Sequence, residues 1–261
     1  MRALSIAATG MSAQQMRVEV ISHNLANMST TGYNARRAEF ADLHYQQVAR
    51  PGSVTASDGR ALPTGVQLGL GVRASSVTFS PEQGTSEATG GDLDIAIEGE
   101  GFLEVTLPSG ISAYTRDGGL KRSAEGQVVT SDGHPINPDI TIPEETRSIS
   151  INASGEVYAY FDDQVEGELL GEIILTSFAN VKGLEAIGSN LFLETPASGG
   201  PFSAPPGQSG LGTVRQGYLE SSSVDPVREI TELIEAQRGY ELNSKVITAA
   251  DQMLGATTQI R

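Results

Sequence analysis

Both ends of this chain carry narrow apolar stripes that a lone helix in water cannot keep exposed, and this restricts the fold more than any other feature of its 261 residues. From Leu4, apolar or small residues recur at Ala7, Met11, Val18, Ile21, Leu25 and Met28, with Gln14 the single polar member of the series. Alternating steps of three and four place them on one face of a helix of about 25 residues, roughly 40 Å long at 1.5 Å per residue. Asn27, Ser29, Thr30, Thr31 and Gly32 then end it. At the other terminus Asp225 is placed to cap a helix whose first residue is Pro226. Leu233, Tyr240, Ile247 and Leu254 repeat there every seven residues, and Ile230, Ile234, Ala236, Ala250 and Met253 widen the stripe. Such stripes need each other, the middle of the chain, or other copies. The pattern predicts a helical bundle or coiled coil, with two helices packed on their own β domain as the alternative.

Between residues 72 and 220 the texture changes to short β-prone runs at 72–79, 93–97, 102–107, 127–130, 147–151, 157–161, 172–178 and 213–219. Asp117-Gly118, Glu125-Gly126, Asp132-Gly133 and Ser154-Gly155 punctuate them, and Gly in such pairs tolerates the positive φ of a tight turn, so antiparallel hairpins are expected. Two Gly/Pro/Ser-rich stretches, 50–71 and 196–212, read as extended connections or loops. The expected fold is a mainly β central domain with N- and C-terminal α-helices that pair into a coiled-coil-like helical domain. Its parts are 1–30 with 225–261 as terminal helical domain, 31–72 as extended connector, and 73–224 as β-rich outer domain.

Charge follows this division. The net charge of −15 splits into +3 over residues 1–73, −16 over 74–224 and −2 over 225–261. An acidic middle without clustered Lys and Arg excludes a phosphate-neutralising nucleic-acid binder and suits a solvated outer surface. No window is apolar for the length of a membrane span, and Gln14, Gln15 and Arg17 interrupt the start early, so neither membrane insertion nor a cleavable signal peptide is expected. The absence of Cys removes disulfides, thiolate metal sites and Cys nucleophiles.

Candidate chemistry is sparse. Gly69-Leu70-Gly71-Val72-Arg73-Ala74 fits a dinucleotide-binding string, but a strand pattern follows where the pyrophosphate needs a helix N-terminus. Asp92-Leu93-Asp94 begins like a calcium loop and fails at Ala96, Ile97 and Leu103. Asp92, Asp94, Glu98 and Glu100 offer a paired acid and base for sugar hydrolysis, the one enzymatic idea the sequence keeps open, and their alternation with Leu93, Ile95 and Ile97 reads better as the wet face of a strand. His23, His44 and His134 are scattered and suggest neither a metal site nor a Ser-His-Asp set. No enzyme, cofactor or metal is implied.

The run Ile21-Ser22-His23-Asn24-Leu25-Ala26-Asn27-Met28-Ser29-Thr30-Thr31-Gly32-Tyr33 resembles the N-terminal signature of bacterial flagellar rod and hook proteins: Asn-Leu-Ala-Asn, a short spacer, Thr, one residue, Gly and an aromatic. Three further segments support it: Ala96-Ile97-Glu98-Gly99-Glu100-Gly101-Phe102, Tyr114-Thr115-Arg116-Asp117-Gly118, and Ala236-Gln237-Arg238-Gly239-Tyr240-Glu241-Leu242-Asn243-Ser244-Lys245. Segment 45–73, with Pro51, Gly52, Pro63, Gly65, Gly69 and Gly71, is similar to an insertion that separates the distal-rod branch of the family from hook proteins. At Val224-Asp225-Pro226-Val227 the chain departs from relatives that have Asn and no Pro. The resemblance implies an axial structural protein of the basal body, exported through the flagellar type III apparatus without a cleaved signal. It would polymerise into a hollow rod that crosses the periplasm and carries torque to the hook. Implied partners are other copies, neighbouring rod and hook proteins, the surrounding ring proteins of the outer envelope and the export apparatus. Leu4, Met11, Val18, Ile21, Leu25, Leu233, Tyr240, Ile247 and Leu254 would serve assembly. The alternatives are another axial member, hook or proximal rod, or a secreted carbohydrate-active enzyme that loses glycan turnover on changing Asp92 or Glu98.

Overall fold

The computed structural model describes residues 2–49, 64–162 and 166–259. They divide into two units, one drawing on residues 2–25, 36–78 and 226–259, the other on 26–35 and 79–225.

The first unit holds two helices, α1 (Arg2–Ala26) and α2 (Pro226–Gln259). Both arise from Ala-, Glu-, Gln-, Met- and Leu-rich runs, and Pro226 occupies the first helical position, where its missing N–H costs nothing. The helices run antiparallel. Positions 10, 14, 17 and 24 of α1 meet 243, 239, 232 and 229 of α2 in turn. On α1 the packed side carries buried Ala7 and Ile21, with Leu4, Met11, Gln14, Val18 and Leu25 half-buried.

The face of α2 differs from its seven-residue repeat. Leu233 and Ile247 are half-buried, but Tyr240 is 45% and Leu254 39% exposed. The line of closest approach runs instead through Ala236, Gly239, Asn243 and Ala250. A strict heptad drifts by about 20° per repeat around a straight helix, and a close helix pair selects small residues over large ones. With 34 residues against 25, α2 also overhangs α1, which leaves Met253 and Leu254 uncovered.

Two strand pairs complete this unit. Arg36–Asp42 pairs with Val72–Phe79, and Tyr45–Ala49 forms an antiparallel hairpin with Val66–Gly69, irregular between Gln47 and Ala49. The expectation of loops over 50–71 is thus corrected at its end: Val66–Gly69 is a paired strand, because Val66 and Leu68 find a cross-strand partner that the polar Tyr45-Gln46-Gln47 did not announce. Residues 50–63 of that stretch lie outside the described residues. The strand at Val72–Phe79 is present as expected and alternates half-buried and exposed positions, so no helix N-terminus follows Gly69 and Gly71.

Among its described residues the second unit, beyond the last residue of α1, is β in character with a 3₁₀ turn at Val181–Gly183. Its main sheet orders Glu185–Gly188, Leu191–Leu193, Ser112–Thr115, Phe102–Thr106, Leu175–Ser177 and Phe202–Ala204 side by side, with Ile136–Asn137 also paired to Phe102–Thr106, every pair antiparallel. A second sheet joins Ser148–Ile151, Glu156–Tyr160 and Glu168–Glu172. Smaller pairs link Ile95–Glu98 to Thr213–Gln216 and Ser86–Ala88 to Tyr218–Glu220. The core is aliphatic around Ile95, Ile97, Leu103, Val105, Ile140, Ile142 and Leu175, and beside it Phe102, Tyr114, Phe178 and Phe192 pack edge to face, with Phe79 tilted against Phe192. Burial there pushes the Tyr114 hydroxyl up to about 12, with Glu104 and Glu194 adding to the shift.

Several boundaries differ from expectation. The run 172–178 splits between two strands, and 213–219 breaks at Gly217, whose φ of +76° turns the chain. Phe202–Ala204 lies inside 196–212, where loops were expected, because it only has to cap a sheet edge. Gly126, Gly133 and Gly155 take the positive φ expected of turns, while Gly118 does not: a Cβ there would stand 1.8 Å from the Ile95 carbonyl oxygen, so it serves close approach. Ile95, Ala96 and Ile97 are all buried, which contradicts a strand with one wet face, and Asp92 and Asp94 precede the strand.

Candidate assembly surfaces

The N-terminal signature folds into two polar knots, one in each unit. In the first unit, Asn24 is buried, and its side chain reads the backbone of Arg36 as a neighbouring strand would. Nδ2 donates to the Arg36 carbonyl at 2.8 Å, and Oδ1 accepts from the Arg36 N–H at 2.8 Å. Nδ2 also donates to Glu229 Oε1 of α2 at 3.1 Å, so one amide holds helix, strand and second helix. Further along, Arg17 reaches Glu232 at 3.2 Å and Glu235 at 3.6 Å. At Glu232 burial pushes the carboxyl up, and hydrogen bonds from Arg17 and Arg228 outweigh it, so it lies below the ordinary value. Gly10 and Gly239 admit the partner helix: a Cβ at Gly10 would come within 2.9 Å of the Asn243 amide, and one at Gly239 within 3.1 Å of Gln14. Gly71, at φ +121°, lies against Thr9 of α1, whose hydroxyl accepts from the Val72 N–H at 3.3 Å.

In the second unit the remaining signature residues close a turn. Thr30 N–H bonds to the Asn27 carbonyl, Tyr33 N–H to that of Thr30, and Gly32 takes φ +62° with its N–H on the Glu220 carbonyl at 2.8 Å. A Cβ on Gly32 would lie 2.8 Å from the carbonyl of Arg116. Arg116 is the hub. Its guanidinium meets buried Glu220 at 2.9 Å and donates to the carbonyls of Gly101 and Gly99, each at 3.1 Å, and of Ile97 at 3.5 Å, above the Phe102 ring. Two motifs therefore meet at one buried ion pair, and the N-terminal signature rests on the backbone of the same two residues.

The rest of the expected assembly set is distributed as follows. Gln237, Arg238, Tyr240, Ser244 and Lys245 are exposed on α2, Asn243 is half-buried against α1, and Ala26 is exposed where α1 ends. Gly65 precedes the hairpin strand, Gly69 closes it beside the Tyr45 ring, and Pro51, Gly52 and Pro63 lie outside the described residues. Sequence reasoning missed Glu220, Gln83 and Glu229. Gln83 donates to the Ile97 carbonyl at 2.6 Å and accepts from the Gly99 N–H at 3.0 Å, and its only signal was a Gln between Pro81 and Gly84. Large apolar side chains stay uncovered in the first unit: Val227, Ile230, Ile234, Leu242, Val246 and Met253 on α2, and Tyr45, Val48, Val66 and Leu68 on the hairpin.

Comparison with known proteins agrees with this layout. Residues 4–34 match the family described as "Flagella basal body rod protein", 96–159 the "Flagellar hook protein FlgE/F/G D1 domain", and 215–260 the "Flagellar basal body rod FlgEFG protein C-terminal". The flagellar basal-body rod protein FlgG of Caulobacter vibrioides is 54% identical over 261 residues, covering the whole of both chains. FlgG of Agrobacterium fabrum is 46% identical over 97% of each chain, and the flagellar hook-basal body complex protein FlhP of Bacillus subtilis is 33% identical over the whole of each. Full-length similarity, with the signatures at the two knots and along the helix pair, leads to one conclusion: this chain belongs to the FlgG family of flagellar basal-body rod proteins and is a structural protein, not an enzyme.

Proposed function

We propose that the chain is a subunit of the distal rod, self-assembling into a hollow helical tube that carries torque across the periplasm to the hook. The observation that carries this reading is the uncovered apolar surface of α2. The helix spends its small residues on α1 and keeps Val227, Ile230, Ile234, Leu242, Val246 and Met253 in water, an arrangement that is favourable only when neighbouring copies bury them. Repeated head-to-tail contacts that do not close into a ring generate such a tube. Residues 1–30 and 225–261 form its inner layer as a coiled-coil-like domain, 31–72 bridges the layers, and 73–224 forms the outer layer. The concentration of negative charge in that outer part keeps a turning surface from sticking to its surroundings. Segment 45–73 braces adjacent subunits through its exposed hairpin and makes the tube stiff. Partners are other copies, adjoining rod and hook proteins, the rings around the rod, and the export apparatus that delivers the chain. Electron microscopy of the purified protein at high concentration tests this: tubes of regular diameter are expected, and a protein that stays monomeric as concentration rises defeats it.

A further inference from the structure

The helix pair contains a carboxyl group whose surroundings suit the neutral form better than the charged one. Glu229 lies in the first turn of α2. Its Oε1 accepts from Asn24, but its Oε2 is buried with no hydrogen-bond partner. An ionised carboxylate expects several donors, and one buried with a single donor carries an unrelieved desolvation cost. We propose that the Asn24–Glu229 contact is a proton-sensitive latch between α1 and α2, closing more tightly when Glu229 is neutral and passing the effect to the strand Arg36–Asp42 through Asn24.

The charged groups that act on Glu229 sit on both helices. Arg17 acts on it from α1, Arg228 and Glu232 from α2, and the strand presents the Arg36 backbone to Asn24. Burial is the largest influence and raises the Glu229 carboxyl above its ordinary value. The Asn24 hydrogen bond opposes this, Glu232 adds to it, and Arg228 and Arg17 oppose it again. A carboxyl raised in the paired state favours pairing fully below its unpaired value, and that contribution is lost as pH rises through the raised value. The helices therefore hold less tightly at neutral pH than in mild acid. In a subunit whose helices pair within a polymer, the latch makes assembly respond to the pH outside the cell membrane.

The inference rests on the self-assembly reading above, and the test separates the two. The concentration of soluble full-length protein in equilibrium with sedimentable tubes is measured between pH 5 and 8 for the parent, Glu229→Gln and Glu229→Ala. Gln keeps the acceptor for Asn24 without a titrating group, and Ala removes both. The ratio of parent to Glu229→Gln should rise about twofold or more across this range, because each unit of displacement is worth a factor of ten in the equilibrium. The Glu229→Ala chain should assemble less well at every pH and follow the pH profile of Glu229→Gln. A ratio that stays flat overturns the latch while leaving self-assembly intact. An absence of tubes from all three chains at every pH defeats the self-assembly reading and the latch with it.

Discussion

Arg116→Met removes one partner of the most deeply buried ion pair among the described residues and leaves the arginine stem's packing nearly unchanged. In the parent, Arg116 and Glu220 side chains are 9% and 3% exposed and meet at 2.9 Å. Without the guanidinium, Glu220 keeps the Gly84 N–H at 3.1 Å on Oε1, while Oε2 and the carbonyls of Gly99 and Gly101 lose a donor. Breaking a buried pair from one side costs roughly 3–5 kcal/mol, because the remaining charge is stranded in a dry site. Against the 5–15 kcal/mol typical of a whole domain, this is a large share. Glu220→Gln keeps an acceptor for Arg116 and should cost less. The double variant should cost less than the sum of the two, by about 1–3 kcal/mol, since neither charge is then left alone. Urea unfolding of the full chain reads this in the near-ultraviolet dichroism of buried Tyr114 and its phenylalanine neighbours, there being no Trp. A single variant within about 1 kcal/mol of the parent, or strictly additive costs, would refute the claim that this pair ties the 96–102 motif to the 114–118 motif.

Gly32→Ala should destabilise the second unit by about 1–2 kcal/mol through its positive φ alone, and further through the 2.8 Å approach to Arg116, as measured in the same unfolding assay. Leu25→Asp or Ile247→Asp places a charge at a half-buried position of the helix pair, at several kcal/mol per site. Assembly should fail while the β dichroism of the second unit persists, and normal tubes from both variants would show that these positions do not face a packed interior. Deleting residues 51–68 takes most of the hairpin's second strand with the segment before it, and electron micrographs should then show curved tubes; tubes as straight as the parent's would sink the bracing role of 45–73.

How far the sequence reaches is clearest at the helices. Pro226 after Asp225 and the recurrence from Leu4 to Met28 marked both helices nearly to the residue, because helix formation answers to local propensity and periodicity. The same pattern did not say which positions of α2 meet α1 within one chain. Tyr240 and Leu254 have the right spacing and the wrong size for a helix that comes close enough for Gly10 to touch Asn243. That face depends on interhelical distance, which no single helix encodes. The strand Val72–Phe79 was legible from alternation, but Tyr45–Ala49 and Val66–Gly69 were not, since a hairpin separated by a long polar segment has its cross-strand partners far apart in sequence.

The motifs show the same division. Asn24, Gly32 and the Tyr114–Gly118 run announced family membership by spacing alone, and with it a structural role. Their physical purpose lay elsewhere, in a backbone carbonyl, a second helix and a glutamate 104 positions from its arginine. Sequence by itself determined the two terminal helices, the β character of the middle and where the charge sits, because each follows from residues close together in the chain. Tertiary structure alone decided which polar groups share a buried site, that Glu220 answers Arg116, and that one oxygen of Glu229 goes without a donor. Burial and hydrogen-bond satisfaction are properties of where distant segments meet, and local pattern carries no record of that meeting.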